Sequence, residues 1–311
     1  MPEPGFKPKQ PGLQPEQQER KEWGRNVALT LKIMRHGDRD KQKNLSEYGR
    51  KETRQRAKDL GIKPDDFDAI KAIGSSAGPE REIEVNGKKV SMGRALETAH
   101  IYADELDSEN EFVTRVNDLL NFETIKTPAP HDHTAVYNSN LPENYDDLDE
   151  VAKAKAAEDA QIATVNYVFS LHNPEAEAWK REQAGAFAYL VEHYQKLVKK
   201  LKNNSRVLIP AGSHGPTIEI LLQQALVIKK EDGTEQVGFD NIDDIGGPSQ
   251  PSDSYNIEIV TDENGEFQDL VVTFDDPDRP QFEMRLDGDR IRELAEFYEE
   301  LHPVERYNPG G

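Results

Sequence analysis

The chain has 311 residues, 35% hydrophobic and 32% charged, with a formal net charge of −20 and no cysteine. The missing cysteine excludes disulfides and thiolate chemistry, and an acidic surface opposes nucleic-acid binding, which needs a basic stripe. The same charge repels an anionic substrate at long range, so any phosphate site has to be a local pocket of arginines.

Residues 1–24 hold no apolar run and read as a flexible tail, not a secretory leader. No stretch is apolar enough to span a bilayer, so a cytoplasmic protein without a membrane partner is expected. Residues 27–34 alternate and then turn continuously apolar, as a buried strand does, and end in Arg35-His36-Gly37. A helix is predicted over 46–60, stopped by Leu60-Gly61. A short strand over 68–73 ends at Gly74-Ser75-Ser76. Residues 81–92 read as a hairpin around Asn86-Gly87, a dipeptide suited to two-residue turns. A helix follows from Gly93 to Leu106.

Residues 107–150, rich in Pro, Asn, Asp and His, predict a long loop with short elements. Two helices are expected near 148–171 and 175–202, broken at Pro174. Residues 205–211 form a buried strand ending in Gly212-Ser213-His214-Gly215, and a helix starts at Pro216. Strands at 255–261 and 268–274 flank Asn264-Gly265, and a last helix covers 287–301.

Strands alternating with helices predict an α/β fold: three layers, α/β/α, around a mostly parallel sheet, as one domain over 25–305. Insertions fall at about 77–93 and 107–150. In such sheets ligands bind at the carboxyl ends of the strands. Three predicted strand ends carry Arg-His-Gly, Ser-Ser and Ser-His-Gly, and the topology draws them towards one crevice.

Two histidines after buried strands, each followed by glycine, sit where a helix N-terminus favours an anion. Arg35, Arg39 and Arg94 lie beside them in sequence or at the next helix start. Guanidinium forks match phosphate oxygens in pairs, and a neutral imidazole among them can attack phosphorus. A second, protonated imidazole would stabilise the charge that develops on the oxygens. His131-Asp132-His133 has metal-ligand spacing, but no further ligand set accompanies it, so a solvated loop is expected, with no metal and no cofactor.

Four segments in order carry a resemblance: Ile33-Met34-Arg35-His36-Gly37; Leu45-Ser46-Glu47-Tyr48-Gly49 with Ala57 and Leu60-Gly61; Ser75-Ser76 with Arg94-Ala95-Leu96-Glu97-Thr98-Ala99; and Ser213-His214-Gly215. Together they resemble the histidine phosphatase superfamily, which includes the cofactor-dependent phosphoglycerate mutases, over residues 27–220. The resemblance implies a phosphoglycerate mutase-like fold and His36 as the phosphorylated nucleophile. Arg35, Arg94 and His214 would complete the phosphate pocket. Arg39 matches the second arginine of the acid phosphatase pattern, although Asp40 and Lys41 follow it where that branch has proline.

The resemblance also implies a carboxylic proton donor, for which Glu123 is the nearest match and Asp132 and Glu143 are rivals. The turn continues Asp38-Arg39-Asp40 and lacks the mutases' serine and tryptophan-asparagine pair. Hydrolysis of a phosphorylated small molecule is therefore expected before a phosphoglycerate-type mutase, or an inactive phosphate-binding member of the same fold.

Overall fold

Strand β1, Ala28–Arg35, lies in the middle of the sheet, and its odd-numbered residues Leu29, Leu31 and Ile33 are fully buried. Burying side chains of this size stabilises the fold by about 1.5–3 kcal/mol each. The computed structural model describes residues 22–85, 88–106, 113–121, 124–128, 133–215, 217–229, 233–279 and 284–303.

In chain order, β1 is followed by α1 (Glu47–Asp59), β2 (Ala69–Gly74), the hairpin β3–β4 (Glu80–Val85 and Lys88–Gly93) and α2 (Arg94–Leu106). Then come β5 (Val113–Val116), α3 (His133–Asn140), α4 (Glu150–Ser170), α5 (Pro174–Val198), β6 (Arg206–Ser213) and α6 (Thr217–Ala225). The chain ends with β7 (Leu226–Lys229), β8 (Glu235–Val237), β9 (Ser254–Val260), β10 (Leu270–Phe274), β11 (Met284–Leu286) and α7 (Gly288–Leu301).

Helix starts follow the capping residues. Ser46 accepts from the Gly49 amide, Asp149 from Ala152, Asn173 from Ala176 ahead of Pro174, and Asp287 from Arg290. Among the described residues no helix is long and apolar enough to cross a membrane.

The nine strands of the described sheet run β5-β2-β6-β1-β9-β10-β11-β7-β8. Helices cover both faces. Leu29, Leu31, Ile33, Val207 and Ile209 pack with Phe187 and Leu190 of α5, Ile218 and Leu222 of α6, and Leu294 of α7. Met34, Leu208, Ile70 and Ala72 pack on the other face with Ala57 of α1 and Ala99, Tyr102 and Ala103 of α2. Lys32 interrupts that second face at 1% exposure; its ammonium pairs with Asp275 and lies 5.2 Å from the centre of the Tyr102 ring.

The α/β/α layering follows the expectation, while parallel pairing is confined to β5, β2, β6 and β1. From β9 to β8 every pairing is antiparallel: β9–β10, β10–β11 and β7–β8 are consecutive strands with no helical crossover among the described residues between them, and β11 returns to pair with β7. Strands β7, β8 and β11 were not expected. The helix expected from Pro216 gives way to strand at Leu226, directly after Ala225 and without a breaking residue.

Candidate active site

The register of the parallel strands sets the crevice. Arg35 stands opposite Ser213, Met34 opposite Gly212, and Gly74 opposite Gly212 from the other side. The segments Arg35-His36, Ser213-His214 and Gly74-Ser75 therefore leave the sheet side by side. Helix α2 then crosses directly over two of these ends. A Cβ at Gly212 would come within 1.9 Å of the Ala95 carbonyl oxygen, and one at Gly74 within 2.5 Å of the Leu96 Cα. Only glycine permits this approach, and the approach brings Arg94, the first residue of α2, over both imidazoles.

The His36 and His214 ring centroids are 4.9 Å apart with an interplanar angle of 66°. Arg94 lies against both: its Nε donates to His36 Nε2 at 3.1 Å and its Nη2 to His214 Nδ1 at 3.2 Å. Its Nη1 donates to the Lys43 carbonyl at 3.0 Å. A guanidinium can only donate, so these contacts assign the tautomers. His36 carries its proton on Nδ1, which donates to the Gly37 carbonyl at 2.7 Å, and keeps the Nε2 lone pair. His214 accepts at Nδ1 and carries its proton on Nε2. Thr98 accepts from the Gly37 amide at 3.1 Å and donates to the Arg94 carbonyl at 2.9 Å, tying the turn to the first coil of α2.

Burial and the surrounding cations hold both histidines well below their ordinary value of 6.5. For His36 the largest cause is burial, then Arg94, His214 and Arg35; for His214 it is burial, then Arg94, Arg35 and Arg39. The same burial and cations disfavour the protonated form of the second imidazole, whose Nε2–H is the donor left by the Arg94 contact. Arg35 is 6% exposed and donates to the Ser249 carbonyl. Burial lowers its pKa, partly offset by Glu219 and Asp253; a guanidinium stays charged nonetheless.

Arg39 lies at the rim, where its Nη2 donates to the Tyr137 hydroxyl of α3 and its Cζ sits 5.1 Å from that ring's centre. Its charge still reaches His214 and Arg35. Glu123 and Asp132 lie outside the described residues, as does His131. Glu143 is exposed, between α3 and α4. Asn121, close before Glu123 in sequence, is buried and donates to Ser76 Oγ at 3.0 Å, and the Leu120 carbonyl accepts from Ser213 Oγ at 2.9 Å. No group of three or more His, Cys, Asp or Glu among the described residues is arranged to hold a metal ion.

The sequence reading missed the loop 246–253. Its Ser249 receives Arg35, Ser252 Oγ lies 3.0 Å from Thr53 Oγ1, and the Asp253 carbonyl accepts from the Arg35 amide at 2.9 Å. The loop precedes β9, which pairs with β1, and only that antiparallel pairing brings it to the crevice.

No protein-family model matches the sequence, and no curated protein does. Among solved structures, the chain is similar to the mycobacterial glucosyl-3-phosphoglycerate phosphatase. The two share 15% identity over 80% of this chain and 97% of that one, with a TM-score of 0.38. A structure described as mycobacterial hydrolase 1 aligns at 16% identity over the same shares, with a TM-score of 0.37. Likenesses this distant leave the functional reading to the geometry of the site.

Proposed function

We propose that the chain is a phosphomonoester hydrolase of the histidine phosphatase type, with His36 as the nucleophile and a phosphorylated small molecule as substrate. The observation that carries the reading is the His36 Nε2 lone pair. It is fixed by the Nδ1–H bond to Gly37 and faces a guanidinium that also reaches His214. A phosphoryl dianion competes for those N–H groups better than neutral nitrogen does, because it adds the attraction of opposite charges to the hydrogen bond. Once Arg94 turns to the phosphoryl oxygens, Nε2 is released to attack.

In the first step the Nε2–P bond forms and the bond from phosphorus to the ester oxygen breaks. The departing oxygen takes a proton from a carboxylic acid, assigned to Glu123. Arg35 and Arg94 neutralise the charge on the three other oxygens and the His214 N–H donates to one of them, with Arg39 at the rim. In the second step the same carboxylate draws a proton from water. The water oxygen bonds to phosphorus, the P–N bond breaks, and phosphate leaves.

Turnover of p-nitrophenyl phosphate beside a phosphoglycerate assay tests this. Release of inorganic phosphate is expected. Transfer to phosphoglycerate without release would identify a mutase, and phosphate binding without turnover an inactive binding protein. His36→Ala is expected to remove turnover and the trapping of acid-labile, base-stable phosphate on the protein. A phosphoenzyme retained by that variant would move the nucleophile to His214.

A further inference from the structure

Behind the imidazoles lies a group of buried charges that the chemistry above does not use. Glu219, in the first turn of α6, is 1% exposed, and its Oε1 accepts from the Ser249 amide at 2.8 Å. The carbonyl of the same Ser249 accepts from Arg35. Its hydroxyl accepts from Arg279 Nη2 at 3.4 Å, while Arg279 Nη1 donates to the Ile245 carbonyl at 3.1 Å. Ser249 is therefore held at its amide and hydroxyl, and presents its third polar group to the arginine that precedes the nucleophile. Asp253 closes the other end of the loop: it pairs with Arg56, lies 4.0 Å from Arg279, and gives its carbonyl to the Arg35 amide.

An arginine side chain has four rotatable bonds, and holding its fork in one orientation costs rotamer entropy that the surroundings must supply. Two bonds from neighbouring elements orient the Ser249 carbonyl before Arg35 meets it. A fork set in advance loses less freedom on binding an anion than one that has to be ordered by it.

We propose that Glu219, acting through Ser249, is a positioning residue that sets the Arg35 guanidinium for the phosphoryl group. Glu219 lies only five residues after His214, in the first turn of the helix that follows it, so one short stretch of chain carries the second imidazole and the carboxyl group that aligns the arginine across from it. The proposal rests on the phosphate-site reading above.

The test is a double-mutant cycle read as affinity for inorganic phosphate by isothermal titration calorimetry, with kcat and KM for p-nitrophenyl phosphate alongside. Glu219→Leu removes the acceptor and is expected to weaken phosphate binding about tenfold, the scale of one lost hydrogen bond. Glu219→Gln keeps an acceptor oxygen and should restore binding to within about threefold of the parent. In an Arg35→Ala background, Glu219→Leu is expected to cost nothing further, because the residue it positions is gone.

An equal loss in both backgrounds, or no loss in the first, overturns the proposal, as does a parent protein that binds no phosphate. A parent that binds phosphate but turns over no ester removes the hydrolase reading, yet leaves this cycle fully readable. Should Glu219→Leu fail to fold, Arg279→Met releases the Ser249 hydroxyl instead, and the same absence of further loss beside Arg35→Ala is expected.

Discussion

At the scale of single residues, the site is decided by which nitrogen carries a proton. Arg94 donates to both imidazoles and, after burial, is the largest cause that lowers their pKa values. A lowered pKa leaves a histidine neutral, and so able to act as a nucleophile, at pH values where an ordinary histidine is protonated. Removing the Arg94 charge should therefore raise the His36 pKa. In Arg94→Ala, NMR titration of the His36 ring is expected to move up towards the ordinary value of 6.5. Turnover should fall by about 10²–10³, as it does when one preorganised donor is lost. A titration that stays put or moves down would show that burial alone sets the value.

Glu123 is tested by leaving group. Glu123→Gln should slow alkyl phosphates by about 10²–10⁴ and p-nitrophenyl phosphate far less, since a phenolate leaves with little help. Equal small effects on both substrates would pass the role to Asp132 or Glu143.

At the scale of elements, two contacts carry the arrangement. The first is the seat of α2 on β6. Gly212→Ala would place a methyl 1.9 Å from the Ala95 carbonyl, so the first turn of α2 must lift and take Arg94 with it. Overpacking of this kind costs about 1–3 kcal/mol. Turnover should fall by more than the loss of folded protein explains, which thermal melts beside kinetics would separate.

The second contact is the buried ion pair of Lys32 in β1 with Asp275 after β10. Burial lowers the Lys32 pKa and Asp275 raises it again. Asp275→Leu leaves an unpaired buried ammonium and should destabilise by about 3–5 kcal/mol, while Lys32→Met combined with Asp275→Leu should recover most of that loss. Urea denaturation of both variants measures it; a double variant no better than the single one would mean that packing, not charge, holds the position.

For the whole molecule, folding stability is linked to pH through these groups. His36, His214, His100 and His193 all have folded pKa values below the ordinary 6.5. Between the unfolded and folded values the unfolded chain binds more protons. Their contribution is therefore complete above about 6.5 and is lost as pH falls towards the lower folded values. Glu52, Glu219, Asp253 and Glu258, raised by burial, act in the opposite sense in their own window, since there the folded state holds the extra protons. The histidine part is isolated by difference. Melting temperatures of the parent between pH 7 and pH 5 should fall more steeply than those of His36→Gln, which has no imidazole to protonate. Parallel curves would show that His36 is not linked to folding.

The sequence by itself determined the local elements and the polar residues at strand ends. Apolar runs marked β1, β6, β9 and β10, and Pro174 marked the break between two helices, because these signals lie within a few residues of what they control. Arg35, His36, Arg94 and His214 were legible as a set for the same reason: strand-end and helix-start positions can be read from the chain.

The tertiary structure alone decided the rest. The helix-to-strand change at Ala225-Leu226 is made by pairing of β7 between β11 and β8, and β11 lies more than 50 residues further along the chain. The partner of Lys32 lies 243 positions away, and Ser249 is 214 positions from Arg35, whose guanidinium donates to its carbonyl. Such contacts form only when β9 and β10 lie down antiparallel beside β1, and that order depends on the packing of the whole sheet.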